Sequence, residues 1–314
     1  PAAPARHRRT RSRRALLAAG AAAALAVGYT AVHSAAAPAH ADAPHAAAVR
    51  AVPAAGTVNT PYGHIPRSQV VAVGKGQTLR VAHGQVEKID VRTHRVLAHL
   101  GKATANAAAS APRRVPATQL GGNCPADWGQ QHIQSFSTTW TVPPKPSDST
   151  STTTFFIWNG LAGGALQPVL QWGNGTAAYQ IANWYYVGGK YAHGTYHSVS
   201  PGQTLTGTIT FVSAANGTYT YKESFAGYPA ADVTVQRTSP ADGVIECFEP
   251  YTNGDATKNP NAKDVAMRSI KLTDQPGYTP PSTLSWTGNS NAPSTEVVNP
   301  SSSGGEVDLY FNGL

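Results

Sequence analysis

The sequence predicts an all-β sandwich or jelly roll, on three observations. Residues 116–314 break into short runs rich in Thr, Val, Tyr and Trp, residue types that suit a pleated and half-buried surface. Clusters of Gly, Pro, Asn and Ser separate these runs at short, regular spacing. Helical periodicity is almost absent, and no fixed-period repeat argues for a propeller.

The expected strands follow one another as HIQSFSTTWTV, TTFFIWNGL, LQPVLQW, AYQIANWYYV, QTLTGTITFV, GTYTYKESF, DVTVQRT, GVIECFE, VAMRSIKL, TLSWT, TEVVN and EVDLYF. In LQPVLQWG, alternation puts Gln167, Val169 and Gln171 on one face and Leu166, Leu170 and Trp172 on the other, with Pro168 marking a bulge or an edge. In ANWYYV, Trp184 and Tyr186 face one way and Tyr185 the other. The same rule sets Asp242, Val244, Glu246 and Phe248 of ADGVIECFEP on one face and Cys247 and Glu249 on the opposite one.

Upstream of this domain the composition changes twice. RHRRTRSRR followed by ALLAAGAAAALAV and Ala39-His40-Ala41 reads as a basic n-region, an apolar stretch and a cleavage site, so residues 1–41 are expected to be a secretory signal. Ser12-Arg13-Arg14-Ala15-Leu16-Leu17 also fits a twin-arginine export signal. No later run is long and apolar enough to predict a membrane-spanning helix, so stable membrane association is not expected once the signal is removed. Residues 42–115 form a basic segment and a possible propeptide. It holds a β-hairpin-like stretch, QVVAVGKGQTLRVAHGQVEKIDVRTHRVLAHLG, and a linker with a protease-accessible Arg113-Arg114 pair.

The signal also accounts for the basic charge. Without its six arginines, the 24 basic residues fall to 18 against 16 acids, so the high isoelectric point is no sign of nucleic-acid binding. What remains is uneven: ten Lys and Arg against three acids in residues 42–115, and eight against thirteen in 116–314. A basic segment lying over an acidic domain and blocking its cleft is one expectation; a small β-element integral to the fold is the other. Cys124 and Cys247, in a chain bound for an oxidising compartment, are expected to form one structural disulfide.

The residues able to carry chemistry are few. There is no G-x-S-x-G elbow, H-E-x-x-H pair, P-loop or dinucleotide fingerprint. His193 and His197 lie in the turn-rich KYAHGTYHSVS and are read as loop residues; no metal and no cofactor are expected. Glu246 is the more informative acid, because a carboxylate in an apolar strand either faces water or lines a polar cleft. Trp158, Trp172, Trp184 and Tyr186 are candidate substrate-binding aromatics, equally readable as core.

At this point the chain resembles the glutamic peptidases of the eqolisin type. The resemblance rests on WTVPP (Trp140 to Pro144), FFIWNGLAGG (Phe155 to Gly164), LQPVLQWG, AYQIANWYYV, SVSPGQTL and VIECFEP, in order through most of residues 125–275. It implies a concanavalin A-like sandwich of two antiparallel sheets and a monomeric secreted acid endopeptidase acting on polypeptides. By this resemblance Gln171 is the catalytic glutamine and Glu246 the catalytic glutamate; a gapless match of the family's acid strand puts Asp242 in that place instead. In such a mechanism the glutamate activates a water and the glutamine amide stabilises the oxyanion. A non-catalytic carbohydrate-binding sandwich is the alternative reading.

Overall fold

The computed structural model describes residues 56–104, 122–150, 153–287 and 295–312. The expected signal sequence and Arg113-Arg114 lie outside the described residues. The described part opens with a hairpin, β1 (Thr57–Thr60) and β2 (Gly63–Pro66), then β3 (Val70–Ala72) and a meander of β4 (Gln77–Ala82), β5 (Gln85–Asp90) and β6 (Val96–Lys102). Next come β7 (Ala126–Asp127), β8 (Ile133–Thr141), β9 (Thr154–Leu161), β10 (Leu166–Gly173), β11 (Tyr179–Val187), β12 (Lys190–His193) and β13 (His197–Val199). The chain continues through β14 (Thr204–Ala215), β15 (Thr218–Phe225), β16 (Val233–Arg237), β17 (Val244–Pro250), β18 (Asp264–Asp274), β19 (Thr295–Asn299) and β20 (Ser303–Tyr310). Two single turns of 3₁₀ helix are the only helical pieces among the described residues.

Two sheets face each other. The first runs β3-β12-β11-β10-β9-β17-β7, with β13 also paired to β11; the second runs β16-β15-β14-β8-β18-β20-β19. The fold is thus an all-β sandwich, antiparallel throughout except where β3 joins β12 in parallel. Its main core lies between the sheets and includes Leu166, Leu170, Trp172, Tyr179 and Phe248 from the first sheet, with Phe136, Trp140, Ile209 and Met267 from the second. The sheets approach closely at Gly207 in β14. A Cβ there would stand 2.5 Å from Asn159 Oδ1 and 2.8 Å from the Pro168 ring, so only glycine fits.

Two local expectations change. TLSWT makes only isolated bridges, Thr283 to Ser301 and Thr287 to Ala126, and forms no strand. KYAHGTYHSVS is not a loop: Lys190–His193 pairs one end of β11 and His197–Val199 the other, the chain breaking at Gly194 between them. Three- and four-residue strands leave too little alternation to be read locally.

Within the N-terminal segment, residues 70–90 contribute to the core and the sheet. Val73, Leu79 and Val86 are buried in the main core, Tyr185 Oη accepts the Leu79 N–H at 3.1 Å, and Thr78 Oγ1 donates to the Thr234 carbonyl at 2.5 Å. Cys124 and Cys247 form a disulfide that closes a sequence separation of 123 residues. Replacing both by Ala is expected to lower stability by about 2–5 kcal/mol, read as a fall in thermal midpoint that reducing agent reproduces in the parent chain.

Candidate functional site

The first sheet has two covered faces, and they differ. Its inner face packs on the second sheet. Its outer face carries a separate cluster of Phe156, Trp158, Val169, Ala182, Trp184, Ile245 and Cys247. Directly paired residues on neighbouring strands share a face, so the register builds the outer surface row by row. One row joins Ala182, Val169, Trp158 and Cys247. The next joins Gln180, Gln171, Phe156 and Glu249. This second row is the more polar one; Gln167 and His193 lie in the row of Trp184.

Gln171 therefore projects outward from β10, 2 % exposed, and its amide oxygen has no hydrogen-bond partner among the described residues. Glu249 is fully buried on the same face and its Oε1 lies 2.9 Å from the Tyr251 hydroxyl. Two strand spacings separate the two residues, about 10 Å between backbones.

Glu246 lies on the other side of the sheet. It pairs with Asn159 and points into the sandwich, where the Thr138 hydroxyl of the second sheet donates to its Oε1 at 2.5 Å. Burial pushes its carboxyl well above the ordinary range, against the opposing effect of the Thr138 hydrogen bond. The structure thus does not bring Gln171 and Glu246 together, because β17 places odd and even positions on opposite faces. Asp242 precedes β17, and its backbone carbonyl accepts the Ala162 N–H at 3.0 Å. Val244 stands opposite Leu161 and Glu249 opposite Phe156, so Asp242 is about 20 Å along the sheet from Gln171's row. Its carboxyl is raised by partial burial, which nearby His132 and Arg237 oppose.

The aromatic candidates also separate. Trp158 and Trp184 are on the outer face. Trp172 instead belongs to the main core, with its ring 6.4 Å from Phe155 and 4.8 Å from Tyr179. Its position two residues beyond Leu170 puts it inside, on the face opposite Gln171. Trp172→Ala is expected to cost about 3–5 kcal/mol in chemical denaturation. Tyr186 is half-buried on the outer face with its ring 5.0 Å from Tyr191.

The β1–β2 hairpin lies over this face. Asn174, just past the end of β10, donates its amide to the Asn59 carbonyl at 3.2 Å. Tyr62, at the hairpin tip, reaches the carbonyl of Ala165, just before β10 begins, at 3.5 Å. The hairpin is thus tied at both ends of β10. Tyr251 Oη is 2.9 Å from the Thr60 carbonyl as well as from Glu249. A phenol has one proton to donate, so the Thr60 carbonyl and an ionised Glu249 compete for it.

No protein-family model matches the chain, and no curated protein matches it. Solved structures do. A scytalido-glutamic peptidase with a peptide-based transition-state analogue aligns at TM-score 0.41 and 12 % identity, over 60 % of this chain and 98 % of the other. SCP-B, a member of the eqolisin family in complex with the tripeptide Ala-Ile-His, aligns at TM-score 0.39 and 13 % identity over 60 % and 98 %. The galectin LEC-6 of Caenorhabditis elegans aligns at TM-score 0.24 and 16 % identity over 41 % and 84 %. The likeness is one of fold.

Three residues of this face, Glu249, Tyr251 and Tyr62, have no motif that marks them. Parity was the available signal for Glu249: it shares a strand face with Cys247, and Cys247 pairs with Trp158. The pairing of β17 with β9, which connects that parity to Gln171, is a contact between strands more than eighty residues apart.

Proposed function

We propose that the chain is a secreted acid peptidase that hydrolyses polypeptides with Gln171 and Glu249, without a cofactor. The observation that carries this reading is the row Gln171–Phe156–Glu249, an amide and a carboxylate on one face of one sheet. In its ionised form Glu249 takes a proton from a water that attacks the scissile carbonyl, then returns it to the departing amine. The Gln171 amide N–H donates to the oxygen on which negative charge develops, and an amide keeps that donor at any pH. Tyr251 hydrogen-bonds Glu249 and orients it. The extended backbone of residues 59–60, held against this face through its carbonyls, supports a polypeptide as the substrate.

The carbohydrate-binding reading is the weaker one. Trp172 lies in the core between the sheets, and what rests on the outer face that carries Trp158 and Trp184 is an extended stretch of backbone held through its carbonyls.

The test is hydrolysis of an unfolded protein substrate between pH 3 and 6 with pepstatin present, followed by mass spectrometry. Both the full chain and its Tyr62→Ala variant, in which the covering hairpin is loosened, are assayed. Cleavage that pepstatin leaves untouched is expected. Absence of cleavage by both proteins removes the peptidase reading.

A further inference from the structure

The hairpin's contacts divide into two kinds. Its main chain is held by groups that read no side chain: Asn174 Nδ2 on the Asn59 carbonyl and Tyr251 Oη on the Thr60 carbonyl. Two of its rings meet this face: His64 lies edge-on to Tyr251 at 5.0 Å, and Tyr62 enters a ring cluster on the first sheet. The Tyr62 ring lies 5.0 Å from Tyr191 and 6.4 Å edge-on from Trp184, and His193 closes the far side of Trp184 at 4.8 Å. The Tyr62 hydroxyl meets the Ala165 carbonyl, which also accepts the Tyr186 N–H at 3.0 Å. Burial of that hydroxyl pushes its pKa up, with the Glu223 and Glu249 carboxylates adding to the rise.

Resting on the peptidase reading of this face, we infer that the Tyr191–Trp184 cluster is a subsite for an aromatic side chain of the polypeptide substrate, and that residues 57–66 fill the groove in cis as a substrate does. Backbone carbonyls bound by side chains of the domain, with one aromatic side chain in a pocket, is how an extended peptide is recognised. The position of the occupant fits this: Thr60 lies beside the Tyr251–Glu249 pair, and Tyr62 two residues on fills the ring cluster. Only β1 and β2 need leave for a peptide to enter, because β3 onward is held by the sheet and the core. The cluster is an apolar slot with a carbonyl at its end, which favours tyrosine and accepts phenylalanine.

Binding, read without turnover, tests this. Fluorescein-labelled TVNTPYGHIP, the sequence of residues 57–66, is titrated by anisotropy against full chains carrying Gln171→Ala. One of these also carries Tyr62→Ala, which empties the slot; another carries Gly63→Val, which strains the β1–β2 turn at its positive φ and leaves every group that would hold the added peptide in place. Circular dichroism checks that each is folded. Both loosened chains are expected to bind the peptide about tenfold or more tightly than the chain with an intact hairpin. Phe in place of the peptide's Tyr should retain binding and Ala should abolish it. Equal binding of the Ala peptide, or no binding by either loosened chain, overturns the subsite. Because nothing is cleaved, saturable binding stands even if hydrolysis is never detected. Conversely, cleavage that shows no preference for aromatic peptides leaves the Gln171–Glu249 reading intact and removes the subsite.

Discussion

Glu249→Gln is expected to lower peptide hydrolysis by about a hundredfold to ten-thousandfold, the usual contribution of a positioned general base. Gln171→Ala is expected to lose about 10²–10³ in kcat, the scale for removing one oxyanion donor. Glu246→Gln, by contrast, should leave kcat within a few-fold of the parent. The three substitutions separate two arrangements. If the working acid is on the outer face, activity follows Glu249. Glu246 has its carboxylate against Thr138 of the second sheet, where no extended peptide reaches it. Steady-state kinetics on proteins with matched thermal midpoints make the comparison. Loss of activity in Glu246→Gln with retention in Glu249→Gln would return the catalytic acid to the inner face and reject the row geometry.

The second large effect concerns stability against pH. Glu246 and Glu223 are both fully buried, and burial raises both carboxyls well above the ordinary value; the Thr138 hydrogen bond opposes the rise at Glu246, and the Gln167 N–H and Arg237 oppose it at Glu223. The native state therefore keeps protons that the unfolded chain releases above about pH 4. Over the window from the unfolded carboxylate value up to the raised native one, the unfolded state binds fewer protons, so unfolding becomes easier as pH rises. Below that window both states are protonated and the full stability is present. The thermal midpoint is thus expected to be highest in acid and to fall toward neutrality. The maximum slope is about 1.4 kcal/mol per pH unit for each group, or about 2–4 °C per kcal/mol for a domain of this size. Glu246→Gln and Glu223→Gln, which keep the shape and remove the charge, should each flatten the decline and raise the midpoint at pH 7. Scanning calorimetry from pH 3 to 8 measures this; a midpoint that rises toward neutrality contradicts it.

Much of this architecture was legible in the sequence. The strands at Leu166–Gly173, Tyr179–Val187 and Val244–Pro250 follow from local composition and punctuation, and their side-chain parity needs only the period of two. What misled was the usual inference from polarity to solvent. Every residue of β9 and β10 is buried, as in sheets covered on both sides. The contrast that normally tells inside from outside is therefore missing. A glutamate in such a strand is no more marked as a cleft residue than its neighbour three positions on. The resemblance that drew attention to Gln171 pointed to Glu246 or Asp242, and gave no register for β17 against β9.

The sequence by itself determined which residues share a face within each strand: Gln167 with Val169 and Gln171, Glu246 with Phe248, and Cys247 with Glu249. Parity is a property of the extended backbone and needs no partner. Only the tertiary structure decided which face of β17 is also Gln171's face, and that the β1–β2 hairpin lies across it. Both depend on pairing between distant strands and on where the second sheet packs. The same alternation is compatible with either face inward until β9 is hydrogen-bonded between β10 and β17 and the second sheet covers one side.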